Sequence, residues 1–322
     1  MGSFELCLPA GLRFTFFIVY LTRMKIIVTH MSPDWDAITS VWLIKKYLAG
    51  WQEADVKFVP AGQRLVNKDL GPKITDPIEK VGEDEVIHVD TGLGPLDHHQ
   101  TQDPTVCGAS RTWDYVQEEF KEAHDKLTAE HKEAVSRIVK IVVDIDHFKE
   151  VFWHDASSDI YEFSLLGVLE GFKYEKPGQD PLYLKFGISC LNALTAEFEN
   201  RIWAEHEINE KGVKFETTHG KGIGFETLND TVLKLSQKMG YQLVVRKDPR
   251  KGYVRIKALP DRDGEKGLDL TNVYHQLSKM DPDATWFLHV SKKMLLNGTP
   301  KNPKMVPTRL TLREIIKVLE KI

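Results

Sequence analysis

The 322-residue chain has only three cysteines, Cys7, Cys107 and Cys190, far apart and in no C-x-x-C pair. That excludes a disulfide framework and a thiolate zinc site, and it suits a reducing compartment, so a cytoplasmic location is expected. A basic excess is missing as well: 43 Lys and Arg stand against 47 Asp and Glu, a formal charge of −4. Nothing in the total therefore advertises a general nucleic-acid binder. The one candidate for a membrane or targeting element is LRFTFFIVYL, whose apolar run from Phe16 to Leu21 falls far short of the roughly 20 residues a spanning helix needs. It also lacks a clear small-residue cleavage site. Residues 1–23 are read as an appendage or an upstream start ahead of a domain beginning at Met24, with a weak signal anchor as the rival, and no membrane partner is expected. Internal repeats and low-complexity tracts are absent, and 42% hydrophobic content implies a packed core.

From Met24 apolar strands alternate with amphipathic helices. KIIVTH, VKFVPAG and EVIHVDTG read as strands and AITSVWLIKKYLAGW as a helix. Strands separated by helices pair in parallel through crossovers, which gives an α/β fold class. After about Ala109 the chain turns helical, in SRTWDYVQEEFKEAHDKL, EAVSRIVKIVVDIDHF and LYLKFGISCLNALTAEFENRIWAEHEINEKG. Around Lys211 to Gly224 the composition shifts to glycine, threonine and short extended segments, so the domains are taken as 24–210 and 211–322. The second is read as smaller and α+β, with strands YQLVVRKD, GYVRIKAL and TWFLHVS and helices DTVLKLSQKM, LTNVYHQLSKM and TLREIIKVLEKI. Charge divides the same way. Residues 242–259 carry six Lys and Arg against one Asp, and residues 292–322 carry eight against two Glu, which leaves an acidic body joined to a basic C-terminal part.

Metal-type ligands crowd the places where elements should end. His30, Asp34 and Asp36 follow the first strand, Asp90 sits in VIHVDTG, LDHHQ supplies Asp97, His98 and His99, and VVDIDHF offers Asp144, Asp146 and His147. In α/β sheets ligands gather at the carboxyl ends of the strands. Carboxylates and imidazoles without cysteine suit Mn²⁺, Mg²⁺ or Co²⁺ better than a structural zinc. Each stretch has an ordinary alternative. Asp34 or Asp36 can cap a helix, Asp90 can be a turn residue, and Asp144, Asp146 and His147 can simply end a helix. Jointly, so many carboxylates converging on one crevice would repel unless divalent cations lay among them.

HMSPDWDA, the Asp of VDTG, and LDHH resemble, in order and spacing, the successive motifs of the DHH phosphoesterase superfamily. DHHQ followed by GASRTWDYV, then IDHF, VRIKALPD and WFLHVSKKMLLNGT, are similar to the melanocyte-proliferating-gene type of metal-dependent exonuclease. The N-terminal resemblance covers about residues 25–150 and is the specific one. It implies a parallel-sheet catalytic domain, a smaller substrate-binding domain and two divalent ions, Mn²⁺ first with Mg²⁺ or Co²⁺ as alternatives. By the same resemblance His30 and Asp34 bind one ion, Asp36 and His98 the other, and Asp90 bridges them. Asp144 or Asp146 completes the ligand set, Asp97 orients a histidine and His99 faces the phosphate.

The smaller domain would then bind substrate through Arg255 and Lys257, which alternate on one strand face, and through His289, Lys292, Lys293, Asn297 and Gly298 around the LLNGTPKNP loop. Their alternative is a solvated basic face and an ordinary loop. The Gly-Gly-Gly-His loop of the oligonucleotide-cleaving branch is absent. The expected activity is two-metal hydrolysis of phosphodiesters in RNA, DNA or short oligonucleotides, of 3′ to 5′ exonuclease type by resemblance. The partner is then a nucleic acid or nucleotide phosphate, and a homodimer is left open. The competing readings are a hydrolase of a small phosphate compound (pyrophosphate, a cyclic dinucleotide or a nucleotide) and a metal- or nucleotide-binding protein without turnover.

Overall fold

A computed structural model describes the chain except for residues 1–2, 8–12, 18–22, 67–73, 123–126, 263, 265 and 300. It divides into two compact units, Met1–Ala196 and Glu197–Ile322. That division falls inside a long helix, ahead of the composition change at Lys211.

In the first unit β1 (Ser3–Cys7) and β2 (Arg13–Phe17) form an antiparallel pair of their own. The expected Phe16–Leu21 run lies mostly outside the described residues. Next come β3 (Lys25–His30), α1 (Trp35–Tyr47), β4 (Asp55–Val59), β5 (Ile78–Val81) and β6 (Asp84–His88). The four sheet strands are ordered β4-β3-β6-β5. β3 runs parallel to both β4 and β6, as the alternation of strands and helices implies. β5 was not foreseen: IEKV is short, only half-buried and pairs antiparallel with β6 across a tight turn.

Ile26, Ile27 and Val28 are buried, as expected of a strand whose two faces are covered. α1 is buried over most of its surface, and for that reason its sequence shows little amphipathic contrast. Against it pack α2 (Gly108–Glu122) and α3 (Ala129–Asp146). Beyond α3 a short 3₁₀ turn, Lys149–Phe152, leads to α4 (Leu165–Glu175) and α5 (Asp180–His206). Trp42 donates its indole N–H to Asn192 of α5 at 3.1 Å.

The second unit adds β7 (Val213–Thr217), β8 (Gly220–Glu226), α6 (Thr231–Lys238), β9 (Leu243–Lys247), β10 (Val254–Ala258), α7 (Thr271–Met280), β11 (Trp286–Leu288), β12 (Met294–Asn297) and α8 (Leu312–Leu319). Its six-stranded sheet is ordered β11-β12-β10-β9-β8-β7 and is antiparallel except for the β8–β9 pair, which α6 connects. Val232, Leu233 and Leu235 of α6 close one core with Ile223, Phe225 and Val244. α7 and α8 close the other with Val245, Ile256 and Leu295. A capping box between Thr311 and Glu314 starts α8. Residues 295–297, read as the start of the LLNGTPKNP loop, belong instead to strand β12, because Leu295 is part of that core. Among the described residues no helix is long and apolar enough to cross a membrane.

Candidate metal centre

Parallel pairing of β3 with β6 brings their carboxyl ends to the same sheet edge. Val28 lies opposite His88, and the Val89 amide donates to the Val28 carbonyl at 2.9 Å. His30 ends β3 and Asp90 follows β6 by two residues, so the register makes them neighbours. Asp90 adopts φ +51°, a left-handed conformation that Asp tolerates better than most residues and that recurs at functional turns. Its carboxylate points back at both histidine stretches.

His30 Nδ1 donates to the Met31 carbonyl at 2.8 Å. That bond fixes the tautomer and leaves Nε2 aimed at Asp90 Oδ2, 3.2 Å away, and Asp34 Oδ2, 3.8 Å away. Such a contact needs a positive charge between the nitrogen and the carboxylates, which a proton on Nε2 supplies in the metal-free chain. Burial lowers the His30 pKa, but the Asp90 contact and the charge of Asp34 outweigh it and raise the pKa to about 9. Asp34 uses its other oxygen to cap α1, accepting from the Ala37 amide at 3.0 Å. The capping reading and the ligand reading of Asp34 thus describe its two oxygens.

Asp36 is buried on the first turn of α1, and its carboxylate accepts from the amides of Gly108 and Ala109 at 2.7 and 2.6 Å. These are the first N–H groups of α2, whose dipole favours an anion there. The sequence reading missed Gly108. A Cβ at that position would come within 2.8 Å of Asp90 Cβ and 3.0 Å of Asp36 Oδ2, so only glycine lets α2 begin against both carboxylates. The Asp36 carboxyl is pushed well above its ordinary range by burial and then by the charges of Asp90, Asp146 and Asp34. Asp146 is raised by burial, against the lowering pull of His98. Asp90 moves the other way. Burial would raise it, but the His30 and His98 imidazoles hold it below the usual carboxylate range.

His98 Nε2 lies 3.5 Å from Asp90 Oδ1, 3.5 Å from Asp146 Oδ2 and 3.6 Å from Asp36 Oδ2. Asp90 Oδ1, His98 Nε2 and Asp146 Oδ2 are all buried with no hydrogen-bond partner. A buried polar atom without a partner costs about 1–3 kcal/mol, and an imidazole nitrogen 3.5 Å from each of two such oxygens fits a bound cation. The residues that can hold a metal ion are grouped as His30, Asp34 and Asp90; Asp90, His98 and His99; and His98, Asp146 and His147.

Asp97 is fully buried and accepts from the Leu93 amide at 2.6 Å and from His99 Nδ1 at 2.7 Å. It therefore orients His99, whose side chain is half exposed beside the cluster. His147 donates from Nε2 to the Val106 carbonyl at 2.9 Å, and its ring meets that of His98 edge-on.

Asp144 and Asp146 lie in different surroundings. Asp146 belongs to the cluster, whereas Asp144 pairs with Lys149 at 2.9 Å and stands outside it. Two residues apart on a helix, the side chains leave in directions about 200° different, so both could not turn inward.

In the second unit Arg255 and Lys257 do share a face of β10, but Arg255 is paired with Asp230, as is its cross-strand neighbour Arg246. Burial lowers the pKa values of both Arg255 and Lys257, with Arg255 adding to the effect on Lys257. Lys293 donates to the carbonyls of Gly267 and Leu268 and pairs with Asp261 at 2.8 Å. Lys292 pairs with Asp269 at 3.1 Å, and His289 Nδ1 contacts Ser291 Oγ at 2.8 Å. Asn297 requires the clearest correction. Fully buried, it donates to the Thr285 and Val306 carbonyls and accepts from the Thr308 amide, which leaves no polar atom for a ligand. Gly298, at φ +78°, lies under the Tyr253 ring, where a Cβ would collide.

No known protein family's model matches the chain, and no curated protein matches it.

Proposed function

We propose that the chain is a DHH-type metal-dependent phosphoesterase that hydrolyses phosphodiester bonds of RNA, DNA or short oligonucleotides, with 3′ to 5′ exonuclease character. The single observation that carries this reading is that Asp90 Oδ1, His98 Nε2 and Asp146 Oδ2 are buried without hydrogen-bond partners, the imidazole nitrogen 3.5 Å from each oxygen, beside the His30–Asp34–Asp90 group. The donor set contains only oxygen and imidazole nitrogen, which suits Mn²⁺, with Mg²⁺ or Co²⁺ next. Two divalent ions, when bound, lower the pKa of a water towards neutrality and offset charge building on a phosphoryl group.

The chain's own part follows from its geometry. Asp90, with one oxygen towards each histidine stretch, would serve both ions. Met31 holds the His30 Nδ1–H, so that His30 presents Nε2 towards the site, and Asp97 holds His99 through Nδ1, 3.8 Å from Asp90 Oδ1. His99, half exposed, is placed to steady a phosphate oxygen. In this reading Met1–Ala196 is the catalytic unit.

Titrating Mn²⁺ into the metal-free chain, followed by length-dependent cleavage of end-labelled RNA and DNA beside a phosphate-release screen, tests the proposal. We expect about two Mn²⁺ per chain and stepwise loss of terminal nucleotides. Phosphate release from pyrophosphate alone would replace the function with the small-phosphate reading, and nucleotide binding without hydrolysis under all three metals would replace it with a binding protein.

A further inference from the structure

A cleft of about 480 Å³ opens beside the candidate metal centre, with Asp34, Asp36 and Asp146 forming one end. Its remaining wall comes from Trp35 of α1 and from the stretch that runs from Ile145, at the end of α3, through the 3₁₀ turn to the first turns of α4. Such a volume lies near the lower part of the range of about 300–1,000 Å³ for small-ligand sites. It has room for one nucleoside, not for a strand.

Two features of the wall decide what fits. Aromatic rings are abundant: Trp35, Phe148, Trp153 and Tyr161 all line the cleft. Phe148 is held at φ +55° with 73% of its surface exposed, a strained conformation for a bulky residue and a costly place to leave an apolar ring in water. Trp153 and Tyr161 sit with ring centroids 5.4 Å apart and planes tilted by 46°, so nothing slides between them and a flat ligand must stack on their outer face.

Charge is the second feature. Glu150, Glu162 and Glu170 also line the cleft, and no Lys or Arg is among the described residues that line it. A phosphate chain running through this space would meet only repulsion. Ionised carboxylates accept hydrogen bonds and donate none, so the ligand's edge must carry N–H or O–H donors. Glu150 Oε2 is buried without a partner, as is the indole N–H of Trp35.

We infer that this cleft is a nucleoside subsite: it holds the base and sugar of one nucleotide whose phosphate lies at the metal centre, and it favours a base rich in N–H donors, guanine before uracil. Stacking on an aromatic platform supplies affinity and the carboxylates select the edge. This rests on the function proposed above for the phosphate's position, but the cleft can be read separately from the metal. A one-nucleoside cleft also gives a physical reason for removing a single terminal nucleotide at each turn.

The test is equilibrium binding to the full chain at saturating Mn²⁺, with guanosine 5′-monophosphate, uridine 5′-monophosphate and ribose 5-phosphate as probes. Guanosine itself is titrated into the metal-free chain. Guanosine monophosphate is expected to bind about tenfold more tightly than ribose 5-phosphate, as base–aromatic stacking generally supplies. Phe148→Ala and Trp153→Ala should each remove most of that advantage while leaving ribose 5-phosphate unchanged, and Glu150→Gln should narrow the guanosine-over-uridine preference. Because the Phe148 ring is largely in water, Phe148→Ala tests the site without threatening the fold. Equal affinity for guanosine monophosphate and ribose 5-phosphate, no response to either aromatic variant, or uridine bound as tightly as guanosine would overturn the inference. Guanosine binding to the metal-free chain with no Mn²⁺-dependent hydrolysis would sustain the subsite and sink the phosphoesterase reading.

Discussion

Two polar regions of the molecule look alike in sequence and differ in what their atoms are doing. At the β3–β6 edge, carboxylates and imidazoles are buried together, and several of their atoms lack a hydrogen-bond partner. On and around β10 and β12, the polar side chains expected to bind substrate are mostly engaged already: Arg255 with Asp230, Lys293 with two carbonyls and Asp261, Asn297 with three backbone groups. Both regions hold residues of the right type at suggestive spacing. The difference is satisfaction, because a polar group that has met its needs inside the protein has little left for a ligand. Frustrated groups are the ones awaiting a ligand.

The strongest way to break that comparison is Asp90→Ala. Asp90 faces both histidine stretches, so its loss should abolish Mn²⁺-dependent hydrolysis, a fall of at least ~10²–10³-fold or several kcal/mol of barrier. The circular dichroism spectrum should stay as in the parent, since the β3–β6 pairing is made by backbone groups that this side chain does not supply. Near-normal turnover in this variant would remove the site assignment.

A second lever is pH with metal. With a pKa of about 9, His30 carries its proton at neutral pH in the metal-free chain, and a ligating nitrogen must lose it. Raised above the ordinary value of 6.5, that proton contributes stability to the metal-free chain that is complete below about pH 6.5 and is lost as pH rises through about 9. Mn²⁺ binding should therefore release protons, with affinity climbing by up to about tenfold per pH unit over that window. Differential scanning fluorimetry with and without Mn²⁺ should show a melting-point gain that is larger at pH 8.5 than at pH 6.5. A gain that shrinks with pH would contradict the placement of His30 at the metal.

In the satisfied region the cost of mutation should fall on stability. Asn297→Ala strands the Thr285 and Val306 carbonyls and the Thr308 amide, and should cost about 1–3 kcal/mol in urea unfolding. Residual folded protein should keep its turnover number. A stable Asn297→Ala chain with weakened substrate binding would return this residue to the ligand side of the comparison.

How far the sequence could be read follows the same division. KIIVTH and EVIHVDTG carry patterns strong enough to identify the strands, and the parallel register then makes neighbours of His30 and Asp90. β5 and β12 were missed because a four-residue strand has too little pattern of its own and takes its identity from its neighbours. Gly108 was invisible for a different reason. Its role is a missing side chain at the meeting of Asp36 and Asp90, and only the folded packing shows it. Arg255 on β10 and Lys293 just before β12 suggested ligands because their partners, Asp230 and Asp261, come from elsewhere in the chain.

The smallest expected effect is also the sharpest discriminator, because it concerns two aspartates two residues apart on the same helix. Asp144 and Asp146 were equivalent candidates, and the helix turns Asp146 towards His98 and Asp144 towards Lys149. The Asp144–Lys149 pair is more than a third exposed on both sides, so its removal should cost no more than a surface ion pair, roughly 0–1 kcal/mol. Asp144→Asn should thus leave turnover within about twofold and Mn²⁺ affinity unchanged, whereas Asp146→Asn leaves His98 with one carboxylate fewer and should lower Mn²⁺ affinity by about 10–100-fold. Measured side by side, the two variants hold charge change and chain position nearly constant and differ only in the direction the side chain points. Equal losses in both would mean that helix direction does not choose the ligand and that net negative charge near the site is what binds the metal.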